Sequence, residues 1–173
     1  MYPFKRLIDS VLSSVMVAHL AMNSLEVQEG FPSSISKNVI TKLLKNELEF
    51  EGLVFTDALN MKAVSEFAPD GEVELAAFLA GNDMLLMPEN VLLAKSKLIE
   101  AYEKGRITER RLAYSVKKVL MAKYKAGLYR DKSVKIEGLY EDLNAIENEL
   151  RYEKAMENAI TAVKNRFSLL PIK

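Results

Sequence analysis

Short apolar runs alternate with stretches of helical spacing along the first 127 residues. Three runs have the length and residue types of strands: 14–18 (SVMVA), 53–56 (LVFT) and 83–87 (DMLLM). The first two suit strands that are buried on both faces. Helical spacing is found at 4–11, 33–48, 58–67, 72–80, about 91–104 and 108–126. This alternation predicts an α/β fold with parallel strands and helices packed outside them.

Capping residues mark the ends of several predicted helices. The serines at the start of the 33–48 segment can accept hydrogen bonds from the first N–H groups of its helix, and Thr108 can do so for the helix that follows it. Gly105 and Gly127 suit the left-handed conformation that ends many helices. We therefore predict helices that end at these two glycines.

The pattern changes after residue 127. A polar, irregular stretch leads to a final predicted helix over 141–164. Its apolar positions, Leu143, Ile146, Leu150, Ala155, Ala159 and Val163, face a further apolar surface in this interpretation. Leu169, Leu170 and Ile172 resemble the start of another strand. We predict two regions, a main unit at 1–127 and a linker with a helix at 128–173.

Charge and composition exclude several classes of function. Twenty-four basic residues balance 24 acidic ones, so no net field favours nucleic acid or an anionic membrane. The sequence contains no run of about 18 apolar residues, so it predicts no membrane span. The chain has no cysteine and one histidine, His19, so we expect no thiolate or histidine metal site and no cofactor. These features leave the cellular compartment open.

Asp57 stands directly after the second predicted strand, where a carboxylate is costly to bury. An Asp between a strand and a helix is a common N-cap. A carboxylate at the carboxyl end of a strand is also where barrel enzymes carry reactive groups. The spacing alone favours the cap and leaves the catalytic interpretation open.

Six stretches, in order, resemble family 3 glycoside hydrolases, and the β-N-acetylglucosaminidase branch in particular. They are SVMVAHL, FPSSISKNVITKLLKNELEFEGL, GLVFTDALNMKAV, AGNDMLLMP, GRITERRLAYSVKKVLMAKYKAGL and AMENAITAVKNRFSLLPI. The resemblance covers essentially the whole chain. Thr56-Asp57-Ala58-Leu59 is similar to a motif of the N-acetylhexosaminidase branch. At the same place, relatives of the β-glucosidase branch usually have Ser-Asp-Trp.

The resemblance implies a partial TIM-type (β/α) barrel, about its last three strand–helix units, followed by a helical linker towards a second α/β domain. It implies a retaining hydrolase of terminal β-N-acetylglucosamine with Asp57 as the nucleophile. His19 and Met61 are predicted to bind the substrate. The family's proton donor, a His with an Asp partner in a motif rich in Lys, His, Pro and Gly, has no counterpart in this chain.

The residues alone also offer simpler interpretations of the other candidates. A single histidine at a strand end is typical of a rim residue that holds backbone groups, and Met61 is typical of core packing. Turn chemistry accounts for Asn82 and Asp83 before the third strand. The mixed charges over 95–125 indicate a solvated helix face.

The chain departs from the family at two glycine positions and in its extent. Val11-Leu12 and Glu49 stand where relatives usually carry glycine at helix ends, at a cost of about 1–2 kcal/mol each if the geometry is kept. Without the first five strands and the proton donor, we expect this chain alone to be inactive. Its open sheet edges predict either pairing with the remaining barrel half or self-association as a homodimer. A non-catalytic scaffold and a β-glucosidase-type member are the alternatives.

Overall fold

The computed structural model describes residues 2–130, 133 and 135–168. They form two compact units, Met1–Tyr129 and Arg130–Lys173. The α-helices are α1 (Tyr2–Asp9), α2 (Lys62–Ser65), α3 (Glu72–Ala80), α4 (Val91–Glu103), α5 (Glu109–Lys125), α6 (Leu139–Leu143) and α7 (Ile146–Ala159). Two strands, β1 (Ser14–Val17) and β2 (Leu53–Thr56), join them, together with 3₁₀ turns at Ser33–Ile35 and Arg166–Ser168 and a π-helix at Asn38–Glu47.

The two strands pair in parallel, which confirms the α/β pattern predicted for the first unit. Ser14 stands opposite Leu53 and Val17 opposite Thr56. The connection between them passes through the π-helix, whose Ile40 is fully buried against the sheet together with Val54. Hydrophobic burial by this helix covers one face of the pair.

The third predicted strand is wrong as a regular strand. Residues 83–87 contribute one parallel bridge, between Phe55 and Met84. Beyond it, the Leu86 N–H donates to the Thr56 hydroxyl at 2.9 Å rather than to a main-chain carbonyl. Met87 then takes a left-handed φ of 46°. A side-chain acceptor and a backbone reversal therefore end the ladder after one bridge.

Burial of β1 on both faces is also wrong for this chain. Val17 is buried, whereas Met16 is 58% exposed and Val15 is half-buried. Within the described residues, β1 pairs with β2 alone. Its second edge and one of its faces therefore lie open.

The long helices agree with their predicted ends. The Thr108 hydroxyl accepts the Arg111 N–H at 3.2 Å at the start of α5. Gly105 (φ 72°) and Gly127 (φ 74°) follow α4 and α5 in the left-handed conformation. The Ser36 hydroxyl accepts the Val39 N–H at 3.0 Å and caps the π-helix, as predicted for the serines there.

Two side chains occupy backbone positions that suit glycine. Val11 (φ 67°) links α1 to β1, and Glu49 (φ 55°) links the π-helix to β2. Both are the positions at which the family resemblance predicts glycine. Because a Cβ crowds the following carbonyl in this conformation, each costs about 1–2 kcal/mol.

The second unit differs from its prediction. The single helix expected over 141–164 is two helices, because Asn144 (ψ 29°) and Ala145 (ψ 139°) leave the helical conformation between α6 and α7. Helix α7 ends at Ala159. The six apolar positions that were predicted to face an apolar surface are exposed. The predicted strand start at Leu169, Leu170 and Ile172 lies outside the described residues. No described helix combines the length and apolarity that a bilayer crossing requires.

Candidate active site

Asp57 and His19 lie at the carboxyl end of the two-stranded sheet. Asp57 directly follows β2, and its N–H donates to the Val17 carbonyl of β1 at 2.9 Å. His19 lies two residues beyond β1. Both side chains are half-buried. The parallel arrangement therefore brings the predicted nucleophile and the single histidine to the same edge.

Within the described part of the chain, one oxygen of the Asp57 carboxylate is hydrogen-bonded and the other is not. The Ala58 N–H donates to Asp57 Oδ1 at 2.8 Å. Among the described residues, nothing donates a hydrogen bond to Oδ2. A half-exposed carboxylate with one fixed oxygen can attack a carbon placed at its other oxygen.

The interpretation of Asp57 as a helix N-cap is wrong. Helix α2 begins at Lys62, and Met61 occupies its N-cap position. No helix N-terminus adjoins the Asp57 carboxylate, because residues 57–61 form a turn before α2, which has only four residues. The bond from Ala58 is the one that orients this carboxylate.

Both ring nitrogens of His19 have protein partners. Nδ1 lies 2.6 Å from the Ser34 hydroxyl oxygen, and Nε2 lies 2.9 Å from the Ala58 carbonyl oxygen. A sugar contact by His19 stays a prediction, and only the ring carbons are left for it. The sequence did not reveal the role of Ser34, which lies 15 positions from His19 along the chain.

Met61 lies in the turn that follows Asp57. Its N–H donates to the Ala58 carbonyl at 3.1 Å, and its side chain is 45% exposed. Core packing, the simpler interpretation, does not fit this exposure. Contact with a sugar stays a prediction for Met61.

A buried ion cluster lies at the other end of the sheet, around Asp83. The Asp83 side chain is fully buried, and its oxygens lie 3.6 Å from Lys45, 3.6 Å from Arg111 and 3.3 Å from Lys118. The Ser115 hydroxyl donates to Asp83 Oδ1 at 2.5 Å. Turn chemistry is therefore an insufficient account of Asp83, and the charges on α5 are not all solvated.

Two of these cations also bind carbonyl groups at the end of α3. Lys45 donates to the Gly81 carbonyl at 2.5 Å, and Arg111 donates to those of Phe78 at 3.1 Å and Asn82 at 2.6 Å. Cations at a helix C-terminus are stabilised by its partial negative charge. The cluster therefore joins the π-helix, α3 and α5 around one carboxylate.

Burial sets the titration of two of these cations. Loss of hydration lowers the pKa of Lys45 from 10.5 to about 8, against the opposing attraction of Asp83. Burial likewise lowers the pKa of Arg111. The cluster carries more positive than negative charge, and desolvation of the ammonium outweighs its ion pair.

Arg111, Ser115 and Lys118 are spaced as one stripe along α5. Positions i, i+4 and i+7 of a helix share a face. This polar stripe is a sequence signal that α5 has a polar contact, but it does not identify Asp83, about 30 positions away, as the partner. Among the described residues, no group of three or more His, Asp and Glu side chains is arranged to hold a metal ion.

Comparison with known proteins adds a family to this geometry. A model of the glycosyl hydrolase family 3 N-terminal domain matches residues 1–122. The chain belongs to glycoside hydrolase family 3. The resemblance inferred from the sequence motifs is thereby confirmed.

Individual relatives carry both glucosaminidase and glucosidase names. A β-N-acetylglucosaminidase/β-glucosidase of Cellulomonas fimi is 25% identical over 98% of this chain and 31% of its own length. The solved β-N-acetylglucosaminidase of Paenibacillus sp. str. FPU-7 is 35% identical, covers 78% of this chain and 26% of its own, and superposes with a TM-score of 0.72. The β-glucoside phosphorylase BglX is 26% identical over 98% of this chain and 32% of its own, with a TM-score of 0.82.

The family's N-terminal domain has a TIM-barrel-like α/β fold, and this chain shares its mixed α/β structure. The chain spans about a third or less of the length of these relatives.

Proposed function

We propose that this chain supplies the nucleophile to a retaining β-N-acetylglucosaminidase barrel. Asp57 is the nucleophile, and β1, β2 and the 83–87 segment, which forms one bridge and not a regular strand, belong to the last three strand–helix units of that barrel. The main support for this proposal is the position of the Asp57 carboxylate at the carboxyl end of β2. Its Oδ1 accepts from the Ala58 N–H, and its Oδ2 accepts no hydrogen bond from the described residues. Barrel enzymes carry their reactive groups at this end of the strands.

The proposed reaction has two displacements. Asp57 Oδ2 attacks the anomeric carbon, the glycosidic C–O bond breaks, and the leaving oxygen takes a proton from an acid. Water then attacks the same carbon, gives its proton to the conjugate base, and releases the carboxylate. The fixed Oδ1 leaves one oxygen directed at the sugar.

The proton donor of this proposal lies outside the 173 residues. The one histidine, His19, is bound by Ser34 and Ala58 and is not placed in the donor motif of the family. Removing a general acid costs about 10²–10⁴-fold in rate. We therefore expect no measurable hydrolysis by this chain alone.

The open edge of β1 supports a partner for the first unit. We propose that the remaining barrel units cover it, or in their absence a second copy of the chain. The exposed side chains of Met16, in β1, and Leu20, three residues beyond it, support the association. Sedimentation of the isolated chain at micromolar concentration tests self-association, and a monomer there contradicts it.

The substrate class rests on the relatives and on one motif. The Thr-Asp-Ala-Leu sequence at 56–59 and the glucosaminidase names favour terminal β-N-acetylglucosamine. A β-glucoside substrate is the second candidate, since BglX covers nearly the whole chain.

Trapping of the covalent intermediate tests the proposal. The chain is combined with the first five strand–helix units of the Paenibacillus relative and treated with a fluorinated N-acetylglucosamine analogue, followed by peptide mass spectrometry. We expect an ester on Asp57, none in Asp57→Asn, and unchanged labelling in Asp70→Asn, the same substitution at an exposed turn. An ester on another residue rejects Asp57.

The choice of sugar separates the remaining candidates. Labelling of Asp57 by a fluorinated glucose analogue alone favours the β-glucosidase type. Failure of both sugars, with the two parts shown to associate, favours the non-catalytic scaffold.

A further inference from the structure

His19 is joined to the residue that holds the Asp57 carboxylate. Its Nε2 lies 2.9 Å from the Ala58 carbonyl oxygen. A carbonyl can only accept, so Nε2 carries the hydrogen and donates it. In the neutral ring, Nδ1 then accepts from the Ser34 hydroxyl at 2.6 Å. The partners thus select one tautomer of the ring.

Ala58 is bound on both sides of its Cα. Its N–H donates to Asp57 Oδ1 at 2.8 Å, while its carbonyl accepts from His19 and, at 3.1 Å, from the Met61 N–H. Rotation about the Ala58 backbone would break at least one of these bonds. The orientation of the Ala58 N–H, and with it the Asp57 rotamer, therefore depends on its carbonyl partners.

The Nδ1 side of His19 contacts a residue of the buried core, Ser34. Ser34 is fully buried, and its carbonyl accepts from Asn82 Nδ2 at 2.8 Å. The same Asn82 nitrogen donates to the Ala77 carbonyl of α3 at 2.7 Å. A continuous path of hydrogen bonds thus runs from α3 through Ser34 and His19 to Ala58.

We infer that His19 is a positioning residue for Asp57, and that it acts through Ala58 rather than by contact with the sugar. The inference rests on the proposed nucleophile role only where it concerns catalysis. His19 fixes the Ala58 peptide groups, Ala58 fixes Oδ1, and Oδ2 stays directed away from the backbone. This role replaces hydrogen bonding to substrate, because both ring nitrogens are occupied.

Nuclear magnetic resonance of the chain itself tests the geometry. Since His19 is the one histidine, its two ring ¹⁵N signals are assigned without ambiguity. At a pH where the ring is neutral, we expect the hydrogen on Nε2. A hydrogen on Nδ1 overturns the inference without any variant being made.

Two substitutions then test the effect on Asp57. His19→Ala removes the donor, and we expect the Hα–Hβ couplings of Asp57 to move from one staggered rotamer to averaged values. His19→Gln retains an N–H at a similar reach, and we expect it to restore the single rotamer. Unchanged couplings in His19→Ala overturn the inference, as does averaging in a folded His19→Gln. If His19→Ala fails to fold, His19→Gln and the tautomer decide.

The trapping reaction gives the catalytic readout. With the barrel completed, we expect His19→Ala to form the Asp57 ester about 100-fold more slowly, with His19→Gln restoring most of the rate. The analogue concentration at half-maximal rate should be unchanged, because His19 does not touch the sugar. Normal labelling of His19→Ala rejects the positioning role and leaves Asp57 as nucleophile. Absence of labelling at Asp57 in every variant rejects the proposed function, and the coupling constants still decide the role of His19.

Discussion

Two aspartates stand at opposite ends of the same small sheet, and their surroundings differ in almost every respect. Asp57, at the carboxyl end, is half-buried, with one hydrogen bond from Ala58 and one oxygen without a partner in the described chain. Asp83, at the amino end, is fully buried among three cations and a serine hydroxyl.

Under the proposed function, this difference separates a reactive carboxylate from a stabilising one within one unit. A carboxylate with an unused oxygen contributes little to folding and can form a bond to another molecule. A carboxylate with both oxygens occupied holds elements together and is closed to substrate. This division matches the general plan of barrel enzymes, whose carboxyl face reacts and whose amino face stabilises.

Replacing each aspartate by asparagine should change the free energy of unfolding very differently, and the change should be larger for Asp83→Asn. In either orientation of its amide, an NH₂ group meets donors: Ser115 and Arg111 on one side, or the Val54 N–H and Lys118 on the other. We expect a loss of about 3–5 kcal/mol in the free energy of unfolding. Urea denaturation followed by circular dichroism measures it.

Asp70→Asn, at an exposed turn, is the matched control for Asp83→Asn and should change stability by less than about 0.5 kcal/mol. A loss below about 1 kcal/mol in Asp83→Asn would contradict the view that the amino end holds the unit together.

The contrast also explains how far the sequence could be interpreted. Local patterns predicted Thr108, Gly105 and Gly127 correctly, because caps and left-handed ends depend on neighbouring residues. The Asp83 cluster joins residues about 30 positions apart, so no local pattern contains it.

The site itself was predictable in part. Motif resemblance predicts Asp57 as the nucleophile, and this stays a prediction, whereas the bonds from His19 to Ser34 and Ala58 depend on how three loops meet. The third strand was wrong because periodicity does not reveal that the Thr56 hydroxyl takes the Leu86 N–H. The final helix was wrong because its apolar stripe did not reveal the break at Asn144 and Ala145.

Lys45 makes the amino end dependent on pH. Its pKa is about 8 in the folded chain against 10.5 in the unfolded one. Between these values the unfolded state binds the extra proton, so stability rises with pH through that window and is constant below it. We expect wild type to gain at most about 3 kcal/mol relative to Lys45→Met between pH 7.5 and 10.5.

Denaturation of both proteins at several pH values measures this gain, and the titrations that they share cancel in the difference. Lys42→Met, on the same helix and exposed, is the control and should follow wild type. A wild type that weakens relative to Lys45→Met as the pH rises would show that the Asp83 pair outweighs desolvation.

Backbone conformation adds a third, smaller difference at the amino end. Val11 and Glu49 both have positive φ, and each lies shortly before a strand. Val11→Gly and Glu49→Gly should each stabilise by about 1 kcal/mol, since relief of the Cβ clash exceeds the added freedom of glycine in the unfolded chain. Thermal and urea unfolding report both variants.

Val27→Gly serves as the control, because Val27 is exposed like Val11 but is not among the described residues with positive φ. It should be neutral or slightly destabilising. Equal gains at Val27 and Val11 would remove backbone strain as the cause.

Asp57→Asn should have the smallest effect on stability. The amide oxygen of asparagine can keep the bond from the Ala58 N–H, and its NH₂ replaces an oxygen that has no hydrogen-bond donor in the described chain. We expect a change within about 0.5 kcal/mol of wild type in urea denaturation, although the same substitution should abolish the glycosyl ester. A loss approaching that of Asp83→Asn would mean that Asp57 is a structural carboxylate, and the contrast between the two ends of the sheet would fail.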